Sequence, residues 1–92
     1  MPRVKIAPQL TRFFPGLQGR SLEVEASCAI EVVRALDTLA PGIADYIVDE
    51  RGALRPHVNL FIGEAMVVDR VKLADRVDAS QTVTVMQALS GG

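Results

Sequence analysis

The sequence predicts an α+β fold in which five strands and one main helix follow each other in the order β-β-α-β-β-β. Several short segments alternate polar and apolar residues, as strands with one buried face do, whereas residues 27–40 repeat their apolar residues at helical spacing. The 92 residues are 49% hydrophobic, which is enough apolar sequence for one core. We therefore expect a single domain over residues 1–92, with a flexible C-terminal tail over residues 89–92.

The first two strands are predicted on either side of a turn. Residues 3–7 alternate polar and apolar, and Pro8 should end that strand because proline cannot donate to a sheet. Residues 21–26 alternate again, with Leu22 and Val24 facing inward. Because proline and glycine punctuate the stretch between them, the two strands should form a hairpin.

The main helix is predicted over residues 27–40. Ser27 is a suitable N-cap, and Glu31 adds favourable negative charge near the start of the helix. Pro41 followed by Gly42 should end it. The face expected to pack on the sheet consists of Ile30, Val33, Leu36 and Ala40.

The second half of the chain is predicted to complete the sheet. Residues 43–49 are spaced for one more helical turn, and residues 57–62 and 65–68 suit two strands. Residues 69–79 are rich in charge and should form a surface connection. The last strand, residues 82–89, alternates strictly and is rich in β-branched residues, and we expect it at the centre beside the first strand.

Charge and composition argue against several classes of protein. Ten basic and eleven acidic residues give a net charge of −1, and no segment is basic enough to attract phosphate backbones. No apolar run approaches the roughly 18 residues of a membrane span, and no N-terminal segment resembles a signal peptide. The single cysteine is typical of a reducing compartment. We expect a cytoplasmic protein that binds neither nucleic acid nor membrane.

Few side chains indicate catalysis or metal binding. Cys28 has no second cysteine to pair with and is expected to behave as a small hydrophobic residue. Together with His57 it offers two nitrogen or sulfur ligands, whereas a zinc site needs roughly three or four. His57 is expected to form hydrogen bonds or to face solvent, and the acidic residues to be surface charges. We predict no metal site and no enzyme activity.

The end of the sequence carries the clearest functional signal. It consists of Ala88, Leu89, Ser90, Gly91 and Gly92, directly after the predicted last strand. Glycine has no Cβ, so this tip can enter a channel too narrow for a side chain. Fully extended, residues 89–92 would reach about 13 Å, at about 3.3–3.6 Å per residue. The tip suits a carboxylate delivered into another protein's active site, although an ordinary frayed end is the alternative.

Strand alternation also predicts an exposed apolar surface. If the aliphatic residues of the third and last strands fill the core, Phe61 and Met86 are left on the outer face of the sheet. An exposed apolar patch usually marks a partner site. Phe13 or Phe14, from the first connection, is expected to extend this surface towards the tail. The alternative is reversed parity, or loops that cover these residues.

Three features together resemble the ubiquitin-like sulfur carriers of the MoaD/ThiS type. They are the β-β-α-β-β-β order, the segment Arg55-Pro56-His57-Val58-Asn59 leading into the third strand, and the end Ala88-Leu89-Ser90-Gly91-Gly92. The family includes the small subunit of molybdopterin synthase, the thiamine-pathway carrier and a carrier serving cysteine biosynthesis. The resemblance covers essentially the whole chain. Its most specific part is the glycine pair, and the chain departs from the family by having Gln87 and Leu89 where a proline and a small aliphatic residue are frequent.

The resemblance implies a β-grasp fold, in which a mixed sheet wraps around one helix, and a carrier without a bound cofactor. A ubiquitin-activating-type enzyme would use ATP to adenylate the Gly92 carboxylate, and a sulfur donor would then displace AMP to leave a thiocarboxylate. A synthase large subunit or another acceptor would receive the sulfur. The resemblance assigns the reaction to Gly92 and Gly91. The residues expected to bind partners are those of the predicted apolar surface and of the tail, namely Phe13, Phe14, Phe61, Met86, Ala88, Leu89 and Ser90.

Two other functions fit the same residues. The chain can be a protein modifier whose Gly92 carboxylate is joined to lysines of target proteins, since that reaction needs the same activation. It can also be a β-grasp binding module in which the glycines are incidental.

Overall fold

Five strands form one mixed sheet in the computed structural model, which describes residues 1–17 and 22–87. The strands are β1 (Arg3–Ile6), β2 (Leu22–Glu23), β3 (Val58–Ile62), β4 (Ala65–Met66) and β5 (Thr82–Gln87). Their order across the sheet is β2-β1-β5-β3-β4. The β1 and β5 strands pair in parallel, and the other neighbours are antiparallel. The predicted α+β fold is confirmed, with the last strand at the centre beside the first.

The helices are α1 (Pro8–Thr11), α2 (Ala29–Leu39) and α3 (Ile43–Ile47), and a short 3₁₀ helix covers Pro15–Leu17. The sequence predicted α2 and the turn that forms α3. It did not predict α1, because four residues are too few to show a helical period. Proline at the first helical position fits α1, since the missing amide hydrogen has no intrahelical acceptor there.

One apolar cluster joins α2 to the inner face of the sheet. Val33 and Leu36 are buried as predicted, whereas Ile30 and Ala40 are only half-buried. Ala29 and Val32 complete the buried helix face instead. The strands contribute their alternate residues, among them Val4, Leu22, Val58, Leu60, Val83 and Val85.

The start of α2 differs from the prediction. The helix begins at Ala29, its N-cap is Cys28, and no side chain forms a cap hydrogen bond. Ser27 instead donates its backbone N–H and its hydroxyl to Oε1 of Glu31, at 2.7 and 2.9 Å. Because these hydrogen bonds favour the charged carboxylate, they lower the pKa of Glu31. Ser27 therefore holds Glu31 rather than capping the helix.

The connection between β4 and β5 lies mostly at the surface, as predicted, but it also covers the start of α2 and contributes buried residues to the core. Leu73 and Val77 are buried, and Leu73 has a φ of 53°, which a residue with a side chain rarely adopts. The carbonyl of Leu73 accepts the N–H of Ile30, and the carbonyl of Asp75 accepts that of Ala29, both at 2.9 Å. These carbonyls satisfy first-turn amides that would otherwise need a side-chain cap.

Asp69 holds this connection in shape. Its Oδ1 accepts the backbone N–H groups of Lys72 at 2.9 Å and Val71 at 3.1 Å, and its Oδ2 accepts that of Ala74 at 3.4 Å. These hydrogen bonds, the one from Lys72 first, lower the pKa of the Asp69 carboxyl. A charged side chain thus organises the loop that buries Leu73.

Replacing Leu36 by alanine should lower the free energy of unfolding by about 2–5 kcal/mol, because it leaves a cavity at a fully buried position. Urea unfolding measures the change. Leu39→Ala is the matched control, since Leu39 is 48% exposed and its truncation should cost about 0.5 kcal/mol or less. Equal losses for the two variants would show that the wrong helix face has been assigned to the core.

Candidate functional site

Phe61 and Met86 lie on the outer face of the sheet, as strand parity predicted. The residues that alternate with them, including Leu60 and Val85, are fully buried in the core. Phe61 is half-buried and Met86 is 36% exposed. The alternative of reversed parity is therefore wrong.

A third apolar residue, Met66 of β4, belongs to the same surface. Phe61 lies directly opposite Met66 on one side and opposite Thr84 on the other, and Met86 lies opposite Asn59. Side chains opposite each other across a strand pair are on the same face, with Cβ atoms about 4.5–5.5 Å apart. Phe61, Met66 and Met86 therefore form the outer-face patch. Sequence reasoning missed Met66 because only the register of β4 places it there.

Phe13 and Phe14 pack on the aromatic ring of Tyr46 in α3. Their ring centroids lie 5.7 and 6.4 Å from that of Tyr46, which in turn meets His57 edge-on at 5.2 Å. Phe13 is 59% exposed and Phe14 is half-buried. Phe13, Phe14, Tyr46 and His57 form the aromatic cluster. His57, which was expected to form hydrogen bonds or to face solvent, is half-buried, and the sequence did not predict its ring contact with Tyr46.

The aromatic cluster and the outer-face patch both reach the end of β5. His57 directly precedes Val58, and Val58 pairs with Gln87, the last residue that the structure describes. Met86 is the neighbouring residue on the outer face. Each surface thus borders the point from which the chain continues towards Gly92. The predicted site residues Ala88, Leu89, Ser90, Gly91 and Gly92 lie outside the described residues, so their roles stay predictions.

Arg70 fixes the strand segment that pairs with the end of β5. Its Nη1 donates to Oδ1 of Asn59 at 3.1 Å, and its Nη2 donates to the carbonyls of Arg55 and Val58 at 3.0 and 2.9 Å. Hydrogen bonds from a charged donor are stronger than neutral ones. Since Val58 is the partner of Gln87, Arg70 holds the position from which the tail leaves. No sequence pattern connects Arg70 with these residues.

A second arginine, Arg55, forms hydrogen bonds with the end of α3. Its Nε donates to the carbonyl of Asp45 at 2.7 Å and to that of Val48 at 3.1 Å, at the end of the helix. Cationic side chains suit this position, because the last carbonyls of a helix have no intrahelical donor. The arginine of the Arg-Pro-His-Val-Asn segment thus connects α3 to the start of β3.

The described residues offer little for metal or covalent chemistry. Within residues 1–17 and 22–87, no three His, Cys, Asp or Glu side chains form a group that could hold a metal ion. Cys28 is half-buried as a free thiol. Over the same residues, no helix has both the length and the apolar character needed to cross a bilayer.

Comparison with solved structures identifies proteins that share this fold. A chain of the Amycolatopsis orientalis BexX/CysO complex matches with a TM-score of 0.82 and 22% identity, over 100% of both chains. Mycobacterium tuberculosis CysO matches with a TM-score of 0.82 and 22% identity, over 97% of this chain and 100% of that one. Haloferax volcanii SAMP1 matches with a TM-score of 0.74 and 17% identity, over 98% and 97%. No protein-family model and no curated protein matches the chain in sequence.

The chain therefore has a β-grasp fold. Its structural neighbours are ubiquitin-like sulfur carrier and modifier proteins of the MoaD/ThiS type. The resemblance seen in the sequence is confirmed at the level of the fold.

Replacing Arg70 by methionine should lower the free energy of unfolding by about 1–3 kcal/mol, because three acceptors lose their donor. The amide of Val58 should also exchange faster with solvent, since it donates to the same Arg55 carbonyl that Arg70 contacts. Hydrogen exchange followed by NMR measures this. Arg76→Met, at a side chain 88% exposed, is the control, and similar exchange in both variants would contradict the role of Arg70.

Proposed function

We propose that this protein is a ubiquitin-like sulfur carrier whose Gly92 carboxylate is activated and loaded with sulfur by partner enzymes. The observation that supports the proposal most is the position of Gly91 and Gly92. They follow the central strand of the sheet by only a few residues, in a chain that shares the fold of CysO over 97% of its length. A rigid central strand is a suitable base for aiming a short tail into a partner's cleft.

The reaction proposed for Gly92 needs a partner because a free carboxylate is a poor electrophile. Attack of the carboxylate oxygen on the α-phosphorus of ATP releases pyrophosphate and forms an acyl adenylate. Attack of a hydrosulfide equivalent from the sulfur donor on the acyl carbon then releases AMP and leaves the thiocarboxylate. The carrier is a substrate in both steps, in keeping with neighbours that are small carrier proteins and not catalysts.

The outer-face patch is proposed to dock the adenylating enzyme. Phe61, Met66 and Met86 provide aromatic and methionine side chains, which are frequent anchors in interfaces. The patch borders the end of β5, so a partner that covers it also receives the tail. The exposed edge of the aromatic cluster at Phe13 and Phe14 is proposed to contact a partner on the other side of the tail. The acceptor, in molybdopterin, thiamine or cysteine biosynthesis, would be selected by such contacts.

A protein modifier is the second candidate, and one comparison favours it. The small archaeal modifier protein 1 of Haloferax volcanii matches with a TM-score of 0.74 and 14% identity, over 95% of both chains. A lysine amine of a target would then attack the Gly92 adenylate and form an isopeptide bond. Mass spectrometry separates the two functions, because a carrier exchanges one oxygen for sulfur whereas a modifier forms adducts with other proteins. Failure of both reactions would favour a β-grasp binding module.

Deletion of Gly92 should abolish adenylation and thiocarboxylate formation while leaving the melting temperature unchanged, because the tip provides chemistry but no predicted packing. Pyrophosphate release with a ubiquitin-activating-type enzyme and ATP measures the first step, and mass spectrometry the second. Gly91→Val is the companion variant, since a β-branched side chain stiffens and widens the tip. Sulfur loading of a chain that ends at Gly91 would contradict the proposed mechanism.

Phe61→Ala and Met86→Ala should each weaken binding to the adenylating enzyme by more than they destabilise the fold. Truncation of a central interface anchor costs roughly 2 kcal/mol or more of binding free energy. Calorimetric titration and thermal unfolding of the same variants compare the two effects. The control is Val71→Ala, at a residue that is 69% exposed and lies outside the outer-face patch. Unchanged affinity together with a lower melting temperature would assign both residues to the fold alone.

A further inference from the structure

An open groove lies at the β2 edge of the sheet, which is the edge opposite β4. It lies between β2, the edge strand, and the second half of α2, and its volume is about 250 Å³. We refer to it as the β2 groove. Its lining includes Met1, Glu23, Val24, Glu25, Ala35 and Leu39.

The edge of β2 has backbone groups that face away from the sheet. Glu23 lies opposite Arg3 in the antiparallel pair, and the N–H of Val24 donates to the carbonyl of Pro2 at 3.0 Å. Because residues of an antiparallel strand turn alternately towards and away from their partner, the N–H and C=O of Glu23 point outwards. Among the described residues, no further strand pairs with this edge. An extended peptide can therefore add to it.

Apolar side chains lie beside this free edge. Val24 is buried and Ala35 is half-buried, whereas Leu39 is 48% exposed and Met1 is 60% exposed. An added strand would place its alternate side chains against Leu39 and Met1 while its backbone paired with Glu23. The groove is open and smaller than the roughly 300–1,000 Å³ of typical small-molecule sites, which favours a peptide over a compact ligand.

Charge determines which peptide fits. Glu23 and Glu25 are both exposed on this edge, so a second copy of the chain would place like charges next to each other. Arg3 lies 3.8 Å from Glu23, but a pair between two such exposed side chains is weak, so a cationic side chain of a peptide can compete for Glu23. A strand that carries lysine or arginine between apolar residues complements both the glutamate charges and the apolar side chains of the groove.

We propose that the β2 groove binds an extended basic segment of a partner protein, which adds to the sheet as a new edge strand beside β2. The apolar side chains of this segment contact Leu39 and Met1, and its cationic side chains lie near Glu23 and Glu25. The β1 strand separates β2 from the outer-face patch, which lies on β3, β4 and β5. The two surfaces can therefore be occupied together, and this inference does not depend on the sulfur-carrier function.

The test uses the full chain labelled with ¹⁵N and a synthetic peptide of about eight residues that alternates lysine and valine. Its binding should shift the amide resonances of Glu23, Val24 and Leu39, and leave those of Phe61 and Met66 unchanged. Two control peptides identify the cause of binding. One has glutamate in place of lysine, and the other is N-methylated along the edge that would pair with β2. Each should bind about fivefold more weakly or worse.

Variants of the chain complete the test. Leu39→Ser and Glu25→Lys should each weaken binding of the lysine–valine peptide by about fivefold or more, with the melting temperature little changed at these exposed positions. Val71→Ser, at another exposed apolar residue, should bind as the unmodified chain does. The proposal is overturned if no shifts occur at β2 or if the shifts map to the outer-face patch. Equal binding of the three peptides, or a self-associated dimer that Leu39→Ser abolishes, also overturns it.

Discussion

The parallel pairing of β1 with β5 is the interaction on which the rest of the structure depends. Val4 lies opposite Val83 and Ile6 opposite Val85, so the first and last strands meet although almost the whole chain separates them. A parallel pair needs a long crossover connection, and here that connection contains α1, α2, α3 and the other three strands. The core therefore closes around a central strand that leads directly to the tail.

Placing β5 at the centre has a mechanical consequence for the proposed function. Val83 and Val85 are fully buried, and strands on both sides hold β5 by hydrogen bonds. Arg70 adds a further constraint, because its guanidinium group binds the carbonyl of Val58 opposite Gln87. The position and direction of β5 at Gln87 are thus set by its two neighbouring strands and by the buried core. A carrier that presents a carboxylate to several partners would need such a fixed base.

The distribution of apolar surface separates possible partners. The outer-face patch and the aromatic cluster both border the end of β5, whereas the β2 groove lies two strands away. Contacts near the tail would serve enzymes that act on the tail itself. The groove would serve a protein that holds the domain while those enzymes work. One small fold therefore has room for separate recognition surfaces.

Local periodicity was enough to predict the order of the five strands and α2, the inner face of the strands, and two of the four buried residues of α2. The same alternation placed Phe61 and Met86 on the outer face, because side-chain direction in a strand depends only on neighbouring residues. The glycine pair that carries the functional proposal is likewise visible in the sequence alone.

Only the tertiary structure decided which residues meet across long separations. The register of β4 brings Met66 to Phe61, the packing of α3 brings Tyr46 to Phe13, and the folded connection brings Arg70 to Asn59. The hydrogen bonds from the first-turn amides of α2 to the carbonyls of Leu73 and Asp75 also join segments that are far apart in the chain. Such contacts depend on strand register and on the packing of distant segments, which leave no periodic signal in the sequence because the residues involved are not neighbours in the chain.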